Sequence, residues 1–142
     1  MTATRDSLPD VQSDRLPDGA VRVLAVLLIG AFVVILNETA MNAGLSRIMT
    51  DLAIDERTAQ WLTTGFMLTM AVVIPITGWV MRRLSARAVF TLAMSLFSAG
   101  TLIAALGWAF PSLFAGRLVQ ASGTAIMMPL LMTTVMELVP PG

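Results

Sequence analysis

Leu36-Asn37-Glu38-Thr39-Ala40-Met41-Asn42 sets one carboxylate, Glu38, inside the first strongly apolar segment of the chain. A charge at the centre of a bilayer costs about 2.5–3.5 kcal/mol on insertion scales, so an acid held there reads first as a working group, a proton or cation site of a membrane transporter. The alternative is that the first span stops before Glu38 and leaves the carboxylate in the outer headgroup layer. Length decides between them. Residues 23–37 carry no charge, but fifteen residues are too few. Crossing a core of about 30 Å takes about 20 residues, so the span must include Glu38 and run to about Gly44.

Outward from that stretch, composition sets the class. The chain is 56% hydrophobic and only 13% charged. Soluble domains average about 45–50% and about 25%, so an integral membrane protein is expected. Nine arginines balance nine acids, and no basic patch suggests nucleic acid. There is no Cys and no His, which removes thiolate and imidazole metal sites, disulfides and Cys or His catalysis. No metal, cofactor or enzymatic activity is expected, since no Ser-centred or metal-ligand constellation is present and Glu38 with one arginine defines no reaction.

The fold class expected is all-α, a polytopic membrane bundle with four transmembrane helices. Residues 1–20, with Pro9, Pro17 and alternating Arg and Asp, are too polar to repay their ordering entropy and read as a disordered tail. The acids there and the lack of a clean cleavage site argue against a signal peptide, so the first helix is expected to stay. Spans are expected at about 22–44, 59–81, 88–107 and 112–136, all within 21–142. Arg47, Asp51, Asp55, Glu56 and Arg57 mark a polar loop preceded by a short helix. Trp61 suits an interface anchor, and Pro75 suggests a kink packed against another helix. The uncharged run 88–116 is too long for one span and breaks at Gly107–Ser112. Pro140, Pro141 and Gly142 read as a turn. The loop holding Arg82, Arg83 and Arg87 has no acid, which places it and both termini of the segment in the cytoplasm.

A second charge lies in the fourth span. Glu38 is sixteen residues, or about 24 Å, from Arg22 at the inner face; Arg117 is six residues from Pro111 at the outer face, or about 21 Å from the inner one. Similar depth predicts a pair, because either charge alone would carry an uncompensated desolvation cost. Asn37, Glu38, Met41 and Asn42 on the first helix, and Arg117, Gln120 and Thr124 on the fourth, would then turn polar stripes toward one interior, as a substrate pathway or as ordinary interhelical hydrogen bonding. Gly100 with Ala104, and Ala121 with Ala125, have small-xxx-small spacing for close helix contact. Met41, Met67, Met127 and Met128 would line an adaptable apolar cavity, or else serve as lipid-facing or packing filler.

These residues resemble the N-terminal part of a major facilitator superfamily transporter, in the drug:proton antiporter branch of EmrB/QacA type. Residues 36–42 look like its first-helix motif Leu-Asp-x-Thr-x-x-Asn, with Asn37 in place of Asp and Glu38 one position later, as in the lincomycin-efflux-like subgroup. Gly78 through Arg87 resembles the loop motif Gly-x-x-x-Asp-Arg-x-Gly-Arg-Arg, with Gly78, Arg83 and Arg87 matching, Arg82 replacing the Asp and Ser85 the second Gly. Positive-inside anchoring also accounts for Arg82. Arg117-Leu118-Val119-Gln120-Ala121-Ser122-Gly123 is similar to the fourth-helix motif Arg-x-x-Gln-Gly-x-Gly.

The resemblance implies proton-coupled efflux of hydrophobic drugs or similar small molecules across a bacterial plasma membrane. It implies proton-transfer or pocket roles for Arg117 and Gln120, and a latching role for the loop. The partners it implies are the bilayer, protons, a hydrophobic small molecule and the missing C-terminal helices of the same transporter, since the family uses twelve or fourteen helices and four supply only part of one half. The chain is therefore expected to be a piece of a longer reading frame and non-functional alone. Two alternatives stand beside it: a small four-helix multidrug pump acting as a dimer, with which Arg82–Arg87 and Arg117 disagree, and a non-transporting membrane fragment.

Overall fold

A computed structural model describes residues 18–138. The chain forms four helices, α1 (Asp18–Asp51), α2 (Glu56–Arg83), α3 (Ala86–Leu106) and α4 (Phe110–Leu138), with no strand among the described residues. Each helix is long and apolar enough to cross a membrane. The expected tail lies outside the described residues over 1–17, while residues 18–20 already belong to α1. The turn expected at 140–142 also lies outside them.

The connections are shorter than the sequence suggests. No separate short helix precedes the first loop, because α1 runs unbroken to Asp51. Nothing between Gly44 and Asp51 interrupts it: there is no proline, and continuing the i→i−4 ladder satisfies backbone groups at no steric cost. The helix stops in a Schellman arrangement. Ile54 N–H donates to Met49 O at 3.1 Å and Ala53 N–H to Thr50 O at 3.4 Å, with Ala53 in the left-handed region at φ 50°. Asp55 then caps α2, its Oδ1 accepting the Thr58 N–H at 3.1 Å. Only Leu84 and Ser85 separate α2 from α3; Ser85 caps α3, and Arg82 and Arg83 occupy the last turn of α2, where cations complement the helix dipole. The break before α4 is confined to Gly107, Trp108 and Ala109. Pro111 sits in the first turn of α4, where its missing N–H has no partner to lose.

α4 is the hub, in contact with α1, α2 and α3. Its closest partner is α3, which runs antiparallel to it along a seam of small residues. A Cβ on Gly100 would lie 2.4 Å from Gln120 N and 2.6 Å from Gly116 O, and one on Gly123 would lie 2.6 Å from Ala93 O. Backbone meets backbone here, which any side chain would prevent. The expected small-residue contact is therefore made by Gly100 and Ala104 against Gly116; Ala121 and Ala125 are fully buried as well. Leu27, Val89, Ala93, Ile126, Met127 and Leu130 form the apolar core toward the α2–α3 end.

α1 holds on more loosely. Its buried residues are Ala20, Leu27, Gly30, Ala31 and Val34, one stripe at helical spacing, and from Ile35 to Asp51 none is buried. Pro75 faces outward on α2, so the helix contact expected around it is not made among the described residues. The methionines are not gathered into one cavity either: Met127 is core, Met67 is 65% exposed and Met128 lies at the surface.

Two outcomes test this arrangement. Gly100→Ala forces backbone apart and is expected to cost about 1–3 kcal/mol in denaturant unfolding, whereas Gly44→Ala, with open space around it, is expected to be neutral or to gain up to about 1 kcal/mol from helix propensity. Hydrogen bonding from Thr58 holds the Asp55 carboxyl below its ordinary value of 3.8. A depressed folded value means that the cap contributes above the unfolded value and is lost as pH falls through the folded one. The Thr58 amide resonance is expected to titrate below pH 3.8 in the wild type and to stay flat in Asp55→Asn.

Candidate functional site

The stripe that seats α1, Leu27, Ala31 and Val34, continues four residues on to Glu38, so the carboxylate emerges on the face turned toward α4. Opposite it, α4 presents Arg117. Arg117 Nη1 donates to Glu38 Oε1 at 2.9 Å and Nη2 to Glu38 Oε2 at 3.0 Å, a two-pronged, charge-assisted contact between helices 79 residues apart in sequence. The Arg117 side chain is 4% exposed and that of Glu38 24%, so the guanidinium is sealed while the carboxylate keeps an opening. This is the only ion pair among the described residues. α1 does not end before Glu38, and the carboxylate is paired.

Two further contacts surround the guanidinium, one of them backed by a hydrogen-bond chain to α3. Nη1 also donates to Gln120 Oε1 at 2.8 Å, one turn along α4. Gln120 Nε2 in turn donates to Thr101 Oγ1 on α3 at 2.9 Å, and the Thr101 hydroxyl donates to Phe97 O at 2.8 Å. The Phe66 ring of α2 lies against the other side, its centroid 4.3 Å from Arg117 Cζ, a cation–π contact in a buried setting. Among the buried side-chain nitrogen and oxygen atoms of the described residues, only Arg117 Nε lacks a partner. Phe66 and Thr101 were not predicted. Phe66 is one of six phenylalanines, and Thr101 is one hydroxyl among several on α3; neither carries a sequence signal that separates it from packing.

The other predicted residues fall into three groups. Thr124 is buried two turns along α4 from Arg117 and donates within its own helix, to Gln120 O at 3.1 Å. Asn37 and Met41 are half-buried beside Glu38, and Asn42 is exposed, because α1 has no buried face beyond Val34. Among the described residues neither Asn37 nor Asn42 makes a side-chain hydrogen bond. Gly78, Arg82, Arg83 and Arg87 lie at the opposite end of the bundle. Gly78 has open space around it, and Arg83 stacks on Trp79 at 5.2 Å. A cavity of about 510 Å³ is also at that end, between α1, α3 and α4, where Arg22 and Arg87 stand beside Val26, Leu27 and Phe90; it does not reach the ion pair.

The acid–guanidinium pair joins the first and fourth helices of a bundle whose helices are long and apolar enough to cross a membrane, a setting in which a charge is kept only with a partner. The model of the Major Facilitator Superfamily matches residues 27–142. The chain belongs to that family, whose members are transporters, and it is a multi-pass membrane protein. It is 45% identical over 118 residues to the uncharacterized MFS-type transporter YcnB of Bacillus subtilis, covering 83% of this chain and 25% of that protein. It is 40% identical to the lincomycin resistance protein LmrB of Listeria monocytogenes (83% and 25%) and 37% identical to that of Bacillus subtilis (84% and 25%). The chain thus spans about a quarter of the length of these relatives. No solved structure matches it significantly.

Because the ion pair is the one polar tie of α1 beyond Val34 among the described residues, Glu38→Ala is expected to release that half of the helix. Spin labels at Ser46→Cys and Ala105→Cys, unique in a chain without cysteine, should report a wider distance distribution, while a Thr64→Cys and Ala105→Cys pair across α2 and α3 stays as in the wild type.

Proposed function

We propose that this chain supplies the first four helices of the N-terminal half of a proton-coupled efflux transporter in a bacterial plasma membrane, and that Glu38 carries the exchanged proton. The observation that supports this most directly is the two-pronged Glu38–Arg117 contact, in which the carboxylate remains 24% exposed. An acid both paired and reachable can change charge when the opening fills with water from one side of the membrane. Proton entry neutralises Glu38, the charge-assisted bonds to Arg117 weaken, and α1 loses its outer tie. The outgoing molecule would enter beside the same carboxylate, past Asn37, Met41 and Asn42 of α1 and Gln120 and Thr124 of α4. The names of the lincomycin resistance relatives favour a hydrophobic drug or a similar small molecule as cargo.

In this reading Arg82, Arg83 and Arg87 stand at the cytoplasmic surface with Gly78 behind them, and both ends of the segment face the cytoplasm. The remaining helices of the transporter, protons and the bilayer are its partners. Four helices hold only one wall of the cavity, so transport by this chain alone is not expected.

In a complete transporter carrying this segment, Glu38→Gln is expected to abolish proton-coupled efflux while membrane insertion stays normal, measured as drug-driven proton flux in proteoliposomes. Unchanged flux would remove Glu38 from the mechanism.

A further inference from the structure

Arg117 is linked to every helix of the bundle, to α3 only through Gln120. Glu38 reaches it from α1, Phe66 from α2, and Gln120, itself tied to Thr101 of α3, from its own helix. These contacts respond differently to a proton. Glu38 loses its charge, but the guanidinium does not give up its own, so once the pair loosens a cation is left in a nearly sealed site. It can follow α1 outward, swing toward the nearby end of α4, or stay. Two features favour staying.

The first is the Phe66 ring face, which attracts the guanidinium whatever the state of Glu38. The second is the direction of the amide of Gln120. The Thr101 hydroxyl spends its only hydrogen on Phe97 O, so toward Gln120 it can act only as an acceptor. That polarity turns the NH₂ of Gln120 to Thr101 and leaves its carbonyl oxygen facing Arg117 Nη1. Were the amide reversed, a donor would face the guanidinium and neither contact would form. On the Glu38 side nothing comparable holds α1, which has no buried residue from Ile35 onward.

We propose that Phe66 and Thr101 are positioning residues that keep Arg117 in place when Glu38 is neutralised, Phe66 directly and Thr101 by orienting Gln120, so that α1 alone is released while α2, α3 and α4 stay locked. The proposal rests on Glu38 being the group that takes up the proton.

The test is the motion of the guanidinium itself, read by ¹⁵N solid-state NMR of the arginine-labelled chain in phosphatidylethanolamine–phosphatidylglycerol vesicles. Arg117 is assigned among the nine arginines by its loss in Arg117→Lys. In Glu38→Gln the two Nη signals are expected to stay distinct, as for a guanidinium that does not rotate. In Glu38→Gln/Thr101→Val and Glu38→Gln/Phe66→Leu they are expected to merge, and with Thr101→Ser or Phe66→Trp in place of Val or Leu to separate again. Merging in Glu38→Gln alone, distinct signals in either Val or Leu double variant, or Ser and Trp variants that behave like Val and Leu, would overturn the proposal. Normal efflux in Glu38→Gln removes the coupling role of Glu38 without touching these spectra, so the two failures are separable.

Discussion

A guanidinium inside a membrane-spanning bundle must be surrounded before anything else in the structure can settle. In a medium without water its charge needs an anion, hydrogen-bond acceptors and, where those run out, the face of an aromatic ring. Arg117 finds all three, and each comes from a different direction: Glu38 from α1, Gln120 along α4 backed by Thr101 from α3, and Phe66 from α2. Near this level each helix thus turns one member of the shell inward. α4, which carries the arginine and contacts the other three helices, is the most buried of the four.

The seal around Arg117 depends on the glycine seam. With Gly100 and Gly116 at the contact, the backbones of α3 and α4 approach closely enough for Thr101 to reach the Gln120 amide. A larger residue at either position would move the Thr101 hydroxyl out of range. Small residues thus work at a distance, by setting a helix separation that polar side chains then exploit. The two sides of the bundle differ accordingly. α3 and α4 are fused along most of their length, whereas α1 leans on them through one apolar stripe and one ion pair.

Departures from the family motifs fall where the geometry tolerates them. Asn37 replaces the usual acid, but the next residue, Glu38, is the one that faces α4, so the negative charge is kept one position later on the helix. Ala121 in place of glycine is fully buried, and the close backbone approaches between α3 and α4 fall at Gly116, Gln120 and Gly123 rather than at Ala121. Arg82 in place of an acid lies on an exposed helix end, and among the described residues it has no ion-pair partner that the change would have broken.

Four apolar runs, their lengths and the arginine-rich connection between the second and third were legible in the chain because bilayer thickness and hydrogen-bond satisfaction leave few options for such sequences. The two charges within the apolar helices were legible too, and counting residues predicted that they would pair, as they do. Periodicity misjudged what lies outside the apolar core, where α1 continues to Asp51 and loops shrink to two to four residues, since no solvent penalty there marks a boundary. Sequence alone therefore determined that a carboxylate and a guanidinium, each set in an apolar helix, need one another as partners. Only the tertiary structure decided which neighbours complete their shell. Phe66 and Thr101 are ordinary residues until helix rotation brings a ring face and a hydroxyl to the same cation, and rotation is set by packing between helices, which no single helix encodes.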